Sequence, residues 1–106
     1  VVFSNSPRRY ALRCLDHLGV RSFFEDRLVF GVEDVLPACK PERAAFQQVL
    51  DAVGSAPERS VMFEDSMKNI RACGELGIRT VLVQEDGEGA RSGEAMLLGD
   101  APVADD

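Results

Sequence analysis

Val61-Met62-Phe63-Glu64-Asp65-Ser66-Met67-Lys68-Asn69 is a short apolar run followed at once by two carboxylates and then a helix start. Val61 to Phe63 reads as a buried strand. Ligands of a parallel α/β sheet bind at the C-terminal ends of its strands. Two adjacent acids at such an end are costly unless something positive neutralises them. A hard cation with oxygen ligands, above all Mg²⁺, is the obvious candidate. Acids also suit the first turn of a helix through its dipole, and either reading fits the stretch alone.

Outward from this stretch the chain alternates strand and helix. Val1 to Phe3 is apolar and is followed by Ser4-Asn5-Ser6-Pro7, in which Ser6 suits an N-cap and Pro7 the first helical position. The helix runs to about Leu18, with Ala11, Leu15 and Leu18 on one face and Leu12 alongside, and Gly19 stops it. His17, the only histidine, suits a surface position in its last turn. Phe23 and Phe24 are expected to pack a short turn against the core. Leu28 to Phe30 reads as a second strand, and Val32 to Cys39 as a loop. Lys40-Pro41 opens a second helix, with Pro41 at its first position and an apolar stripe of Ala45, Phe46, Val49, Leu50 and Val53 before Gly54. Ser60 to Phe63 is the third strand. Ser66 caps a third helix with Met67, Ile70, Cys73 and Leu76 on its apolar face, and Gly77 ends it. Arg79 to Val83 is a fourth strand of the kind buried in parallel sheets. This order predicts an α/β fold, a Rossmann-like parallel sheet with flanking helices.

Charge divides the chain. Residues 1–84 carry 11 Lys/Arg and 11 Asp/Glu, whereas residues 85–106 carry one Arg and seven acids, so the net charge of -6 belongs to the tail. The Gly-rich, acidic stretch from Glu85 reads as a partly disordered tail, with a small apolar patch at Ala95 to Leu98. No basic surplus points to nucleic acid, and no apolar run is long enough to span a membrane. Three cysteines without metal-type spacing fit a reduced, cytoplasmic protein, with an upstream organellar targeting segment left open.

Three polar features now occupy corresponding places: Ser4-Asn5 after the first strand, Lys40 at the mouth of the second helix, and Glu64-Asp65 after the third strand. In a parallel sheet these reach one edge, where they suit one small anion and one metal. A Ser hydroxyl, backbone N–H groups and the N-terminus of the helix at Ser6-Pro7 can all donate to phosphoryl oxygens. Lys40 adds a point charge, worth roughly 4 kcal/mol at about 4 Å and an effective dielectric near 20, before desolvation. Each part alone has a plainer reading: a turn, a solvated lysine, an exposed helical Asn69.

Together they resemble the haloacid dehalogenase superfamily of aspartate-nucleophile phosphohydrolases over roughly residues 1–84. Val2-Phe3-Ser4-Asn5-Ser6 resembles its second motif, Cys39-Lys40-Pro41-Glu42 its third and Val61 to Ile70 its acidic fourth. The combination is most similar to the pyrimidine 5′-nucleotidase branch, although Glu64 stands where close relatives often have Asp. The resemblance implies that Ser4 binds the transferring phosphoryl group, Asn5 supports it, and Lys40 neutralises charge on nucleophile and phosphate. It implies Asp65 as a direct Mg²⁺ ligand and Glu64 as a ligand through water or an outer ligand. Ser66 and Asn69 would tie down the metal loop. The implied activity is Mg²⁺-dependent hydrolysis of a small phosphorylated metabolite such as a pyrimidine mononucleotide, through an aspartyl-phosphate.

The family's first motif, Asp-x-Asp on a strand, does not occur in the right context here. It is expected upstream of Val1, together with any cap domain, so residues 1–84 read as the C-terminal part of an incomplete core. That missing strand is central. With strands about 4.8 Å apart its absence leaves a gap of roughly 10 Å or forces a new pairing. The expectation is that residues 1–106 alone are poorly stable and inactive; cooperative melting of the segment with phosphatase activity would contradict this. An inactive binding or scaffold module is the competing reading, favoured if the upstream strand lacks its Asp pair. A phospho-acceptor receiver domain is disfavoured because Lys40 precedes the acid pair.

Overall fold

The computed structural model describes residues 1–84 and the strand at Ala95–Leu97. The protein is α/β, with short parallel strands and flanking helices, and it divides into two compact units, Val1–Val53 and Gly54–Asp106. The remainder of the tail read as disordered lies outside the described residues. Among the described residues no helix is long and apolar enough to cross a membrane.

In the first unit, β1 (Val2–Phe3) and β2 (Val29–Phe30) pair in parallel, Val2 opposite Val29 and Phe3 opposite Phe30. Helix α1 (Arg8–Leu18) links them. It buries Ala11 and Leu15 beside Val29, with Val2, Leu12, Val20 and Phe24 packed around them. Two expected core members differ. Leu18 is 69% exposed, because left-handed Gly19 (φ 74°) reverses the chain and brings Val20 onto the cluster, with the Val20 N–H donating to the Leu15 carbonyl at 3.0 Å. Phe23 is 80% exposed, while its neighbour Phe24 takes the packing role.

The second cluster joins Val35 and Ala38 to Ala45 and Val49 of α2 (Arg43–Val53), with Phe3 and Phe30 against it. The stretch expected to be a loop therefore contributes core: Val35 is 1% exposed, and burying such a side chain is worth about 1.5–3 kcal/mol. Phe3 meets Phe46 edge to face, ring centroids 5.7 Å apart.

In the second unit, β3 (Val61–Glu64) lies parallel to β4 (Arg79–Val83), linked by α3 (Met67–Leu76), whose Ile70 and Cys73 are fully buried. β5 (Ala95–Leu97) adds an antiparallel strand to the other side of β4, where the sequence suggested only an apolar patch. The described strands thus form two sheets, β1-β2 in the first unit and β3-β4-β5 in the second. As an edge strand with positions 61 and 63 on one face, β3 is not the buried strand expected: Val61 is 51% and Phe63 67% exposed.

Candidate functional site

At the end of β1, the Ser4 N–H donates to the Phe30 carbonyl at 3.0 Å, extending the parallel ladder by one bond. This fixes the backbone from which Ser4 and Asn5 project. The Ser4 hydroxyl accepts from the Ser6 N–H at 3.0 Å and lies 2.8 Å from the Ser6 hydroxyl. A hydroxyl has one proton and two acceptor sites, so when Ser6 donates on both counts the Ser4 proton remains for a ligand oxygen.

Asn5 reaches across 35 positions in sequence to Lys40. Its Nδ2 donates to the Lys40 carbonyl, and its Oδ1 accepts from the Lys40 N–H, both at 3.0 Å. The Lys40 ammonium donates to the Phe3 carbonyl at 3.0 Å and lies 5.0 Å from the centroid of the Phe3 ring. Ser4, Asn5 and Lys40 are therefore brought together. The mouth of α2 differs from expectation. The helix begins at Arg43, so Pro41 is not its first residue. Cys39 to Glu42 forms a tight turn instead, with the Lys40–Pro41 peptide cis and the Glu42 N–H donating to the Cys39 carbonyl at 2.8 Å. The Glu42 carboxylate accepts from the Cys39 N–H at 3.0 Å, closing the turn from its other side.

Helix α1 also starts later than expected. Pro7, not Ser6, holds the capping position, and the first helical residue is Arg8. The Arg8 N–H donates to Glu33 Oε1 at 2.9 Å. The positive end of α1, expected to serve phosphate, already has an anion of the chain against it. The Glu33 carboxyl is held below the usual glutamate range, first by its own backbone N–H and then by that of Arg8.

The acid pair lies in the second unit. Glu64 is the last residue of β3, opposite Leu82. Its Oε2 accepts the N–H groups of Asp65 and Ser66, each at 3.1 Å, so the carboxylate folds over and holds the turn into α3. Ser66 occupies the cap position, and its carbonyl accepts from the Ile70 N–H, but its hydroxyl makes no cap bond, contrary to the role expected. Asp65 is exposed and Asn69 half-buried in the first turn of α3.

Oxygen donors of this kind suit Mg²⁺ rather than a soft metal. Glu64 has one oxygen committed to backbone, which fits an outer or single-oxygen role. Among the described residues no three His, Cys, Asp or Glu side chains gather to hold a metal ion. Two carboxylates therefore fit Mg²⁺ only with water, phosphate or further residues completing its shell.

Three participants escaped the sequence reading: Ser6 as the partner of Ser4, Glu33 at the start of α1, and Glu42 within the Lys40 turn. The Ser4-x-Ser6 spacing was a usable signal for the first. Glu33 is 25 positions from its partner and left no local mark.

Residues 1–77 match the family described as haloacid dehalogenase-like hydrolase. A phosphoglycolate phosphatase of Pseudomonas putida is 31% identical over 80 residues, covering 76% of this chain and 28% of the relative. A phosphorylated carbohydrates phosphatase of Thermotoga maritima is 33% identical over 78 residues, covering 74% of this chain and 35% of the relative. The chain spans about a third of the length of the curated relatives it matches.

Proposed function

The chain belongs to the haloacid dehalogenase-like hydrolase family, and from that footing we propose that it forms part of a Mg²⁺-dependent phosphatase of small phosphate monoesters. The observation that carries the reading is the cluster at the end of β1, where hydrogen bonds tie Lys40 to Asn5 and to the Phe3 carbonyl, the residues that flank Ser4 in the chain. A hydroxyl donor and an ammonium held beside each other are what a phosphoryl group needs during transfer.

Ser4 donates its proton to a phosphoryl oxygen. Lys40 offsets the charge of the phosphate and of the approaching carboxylate, whose Asp lies on a strand outside these 106 residues. That carboxylate attacks phosphorus, the ester oxygen leaves with a proton, and water then hydrolyses the aspartyl-phosphate. Asp65, with Glu64, would hold Mg²⁺, which when bound supplies charge neutralisation that lets two anions approach. Ser66 and Asn69 support that turn.

The substrate is a small phosphorylated metabolite. A pyrimidine mononucleotide is the choice favoured by the motif combination Ser4-Asn5-Ser6, Lys40-Pro41 and Glu64-Asp65-Ser66. Phosphoglycolate and sugar phosphates are the competing choices, suggested by the names of the relatives.

The test is phosphate release by the full-length protein from uridine monophosphate, phosphoglycolate and a sugar phosphate, with Mg²⁺ and with chelator. Activity should require Mg²⁺, Lys40→Ala should lower kcat by about 10²–10³, and Asp65→Asn should raise the Mg²⁺ concentration needed. Wild-type kinetics in both variants would refute the assignment, and silence on every substrate would favour the binding-module reading.

A further inference from the structure

We propose that Asn5 is a positioning residue for Lys40 rather than a ligand of the phosphoryl group; this rests on the role given to Lys40 above. A primary amide has one acceptor oxygen and two N–H donors. In Asn5 the oxygen and one donor are both spent on a single residue, the backbone N–H and carbonyl of Lys40, each at 3.0 Å. Two bonds of opposite polarity to the backbone of one residue fix the orientation of the amide, since rotating it by a half turn would set donor against donor and acceptor against acceptor.

The same lysine is held at its far end. Its ammonium donates to the Phe3 carbonyl at 3.0 Å over the Phe3 ring. Phe3 to Asn5 thus grips Lys40 at backbone and at amine, and the turn closed by Glu42 supports it from the other side. A lysine stem has four rotatable carbons, so the amine stays in place only if its root does too. Removing the Asn5 amide frees the root while leaving the Phe3 contact intact. An error of about 1 Å in a charge that must meet a developing transition state can cost on the order of 10²-fold in rate.

The experiment is a double-mutant cycle in the full-length protein, with kcat and KM measured for Asn5→Ala, Lys40→Ala and the pair, well below each melting temperature. Asn5→Ala should lower kcat by about 10–10²-fold with KM nearly unchanged. The pair should be no slower than Lys40→Ala alone, within about twofold, because Asn5 acts only through Lys40. Multiplicative losses, or a raised KM with kcat retained, would show direct contact with substrate and overturn the proposal. Wild-type turnover in Asn5→Ala, with loss in Lys40→Ala, overturns this inference alone. Wild-type turnover in Lys40→Ala overturns the proposed function along with it. Should the alanine variant fail to fold, Asn5→Asp makes the same comparison, since it keeps the shape and the acceptor and loses the donor.

Discussion

Gly31→Ala should be among the most damaging single-methyl changes in the first unit. Gly31 follows β2, is buried, and has ordinary extended backbone (φ -109°, ψ -177°), so its dihedrals do not demand glycine. The surroundings do. A Cβ there would lie 2.6 Å from the Arg8 Cα, closer still to the Arg8 nitrogen, and 2.5 Å from Glu33 Oε1. Two of these atoms are backbone at the first residue of α1 and cannot swing aside. Relief requires separating β2 from α1, which strains the Arg8 N–H to Glu33 bond at 2.9 Å and the Val32 N–H to Ser6 carbonyl bond at 2.9 Å. Overpacking costs about 1–3 kcal/mol, and loss of a helix-end partner about 1 kcal/mol more. The sum, about 2–4 kcal/mol, corresponds to about 2–4 °C of melting temperature per kcal/mol in a domain of a few hundred residues. Because the Phe30 carbonyl next door accepts from the Ser4 N–H, the shift should also displace Ser4 and lower the proposed phosphatase activity. Thermal unfolding of the full-length protein by circular dichroism, paired with kcat, measures both. A variant that melts within 1 °C of wild type would refute the claim that β2 and α1 touch here.

Thr80 is 1% exposed, and its hydroxyl has no hydrogen-bond partner among the described residues. Thr80→Val keeps the β-branched shape and removes an unsatisfied polar atom, so stability should rise by about 1 kcal/mol; a lower melting temperature would mean that the hydroxyl is satisfied in the full-length protein. Glu33 gives a pH signature. Its carboxyl is lowered in the fold, so its contribution is fully present above the ordinary glutamate pKa of about 4.3 and is lost as pH falls through the folded value. The stability gap between wild type and Glu33→Gln should therefore be widest near neutral pH and close as the medium is acidified below about pH 4. A gap that stays constant across that range would remove Glu33 from the start of α1.

Much of the fold was legible because it is written in local physics. The stripe Ala45, Phe46, Val49 and Leu50 is buried as its helical spacing requires. Gly19, Gly54 and Gly77 all take positive φ where the apolar periodicity stops. Parallel pairing of β1 with β2 and of β3 with β4 follows the strand-helix alternation. Helix starts were read less well. Pro7 and Pro41 suggested first helical positions, but the backbone at Pro7 (φ -55°, ψ 143°) is extended, and Pro41 belongs to the turn before Arg43.

The candidate site was legible as residue types and not as bonds. Ser4, Asn5, Lys40, Glu64 and Asp65 follow from which residues stand at strand ends and turns, a matter of order along the chain. Tertiary structure alone decided that Asn5 serves Lys40 and that the start of α1 already has a carboxylate. It also decided that Val35 and Ala38 are core and that Phe63 is not. The division has a physical cause. Periodicity, glycine stops and strand runs are set by neighbours within a few residues, so sequence carries them. Burial and the partners of Asn5 and Arg8 are set by groups that meet only when the chain folds back, across 25 positions for Arg8 and Glu33 and 35 for Asn5 and Lys40.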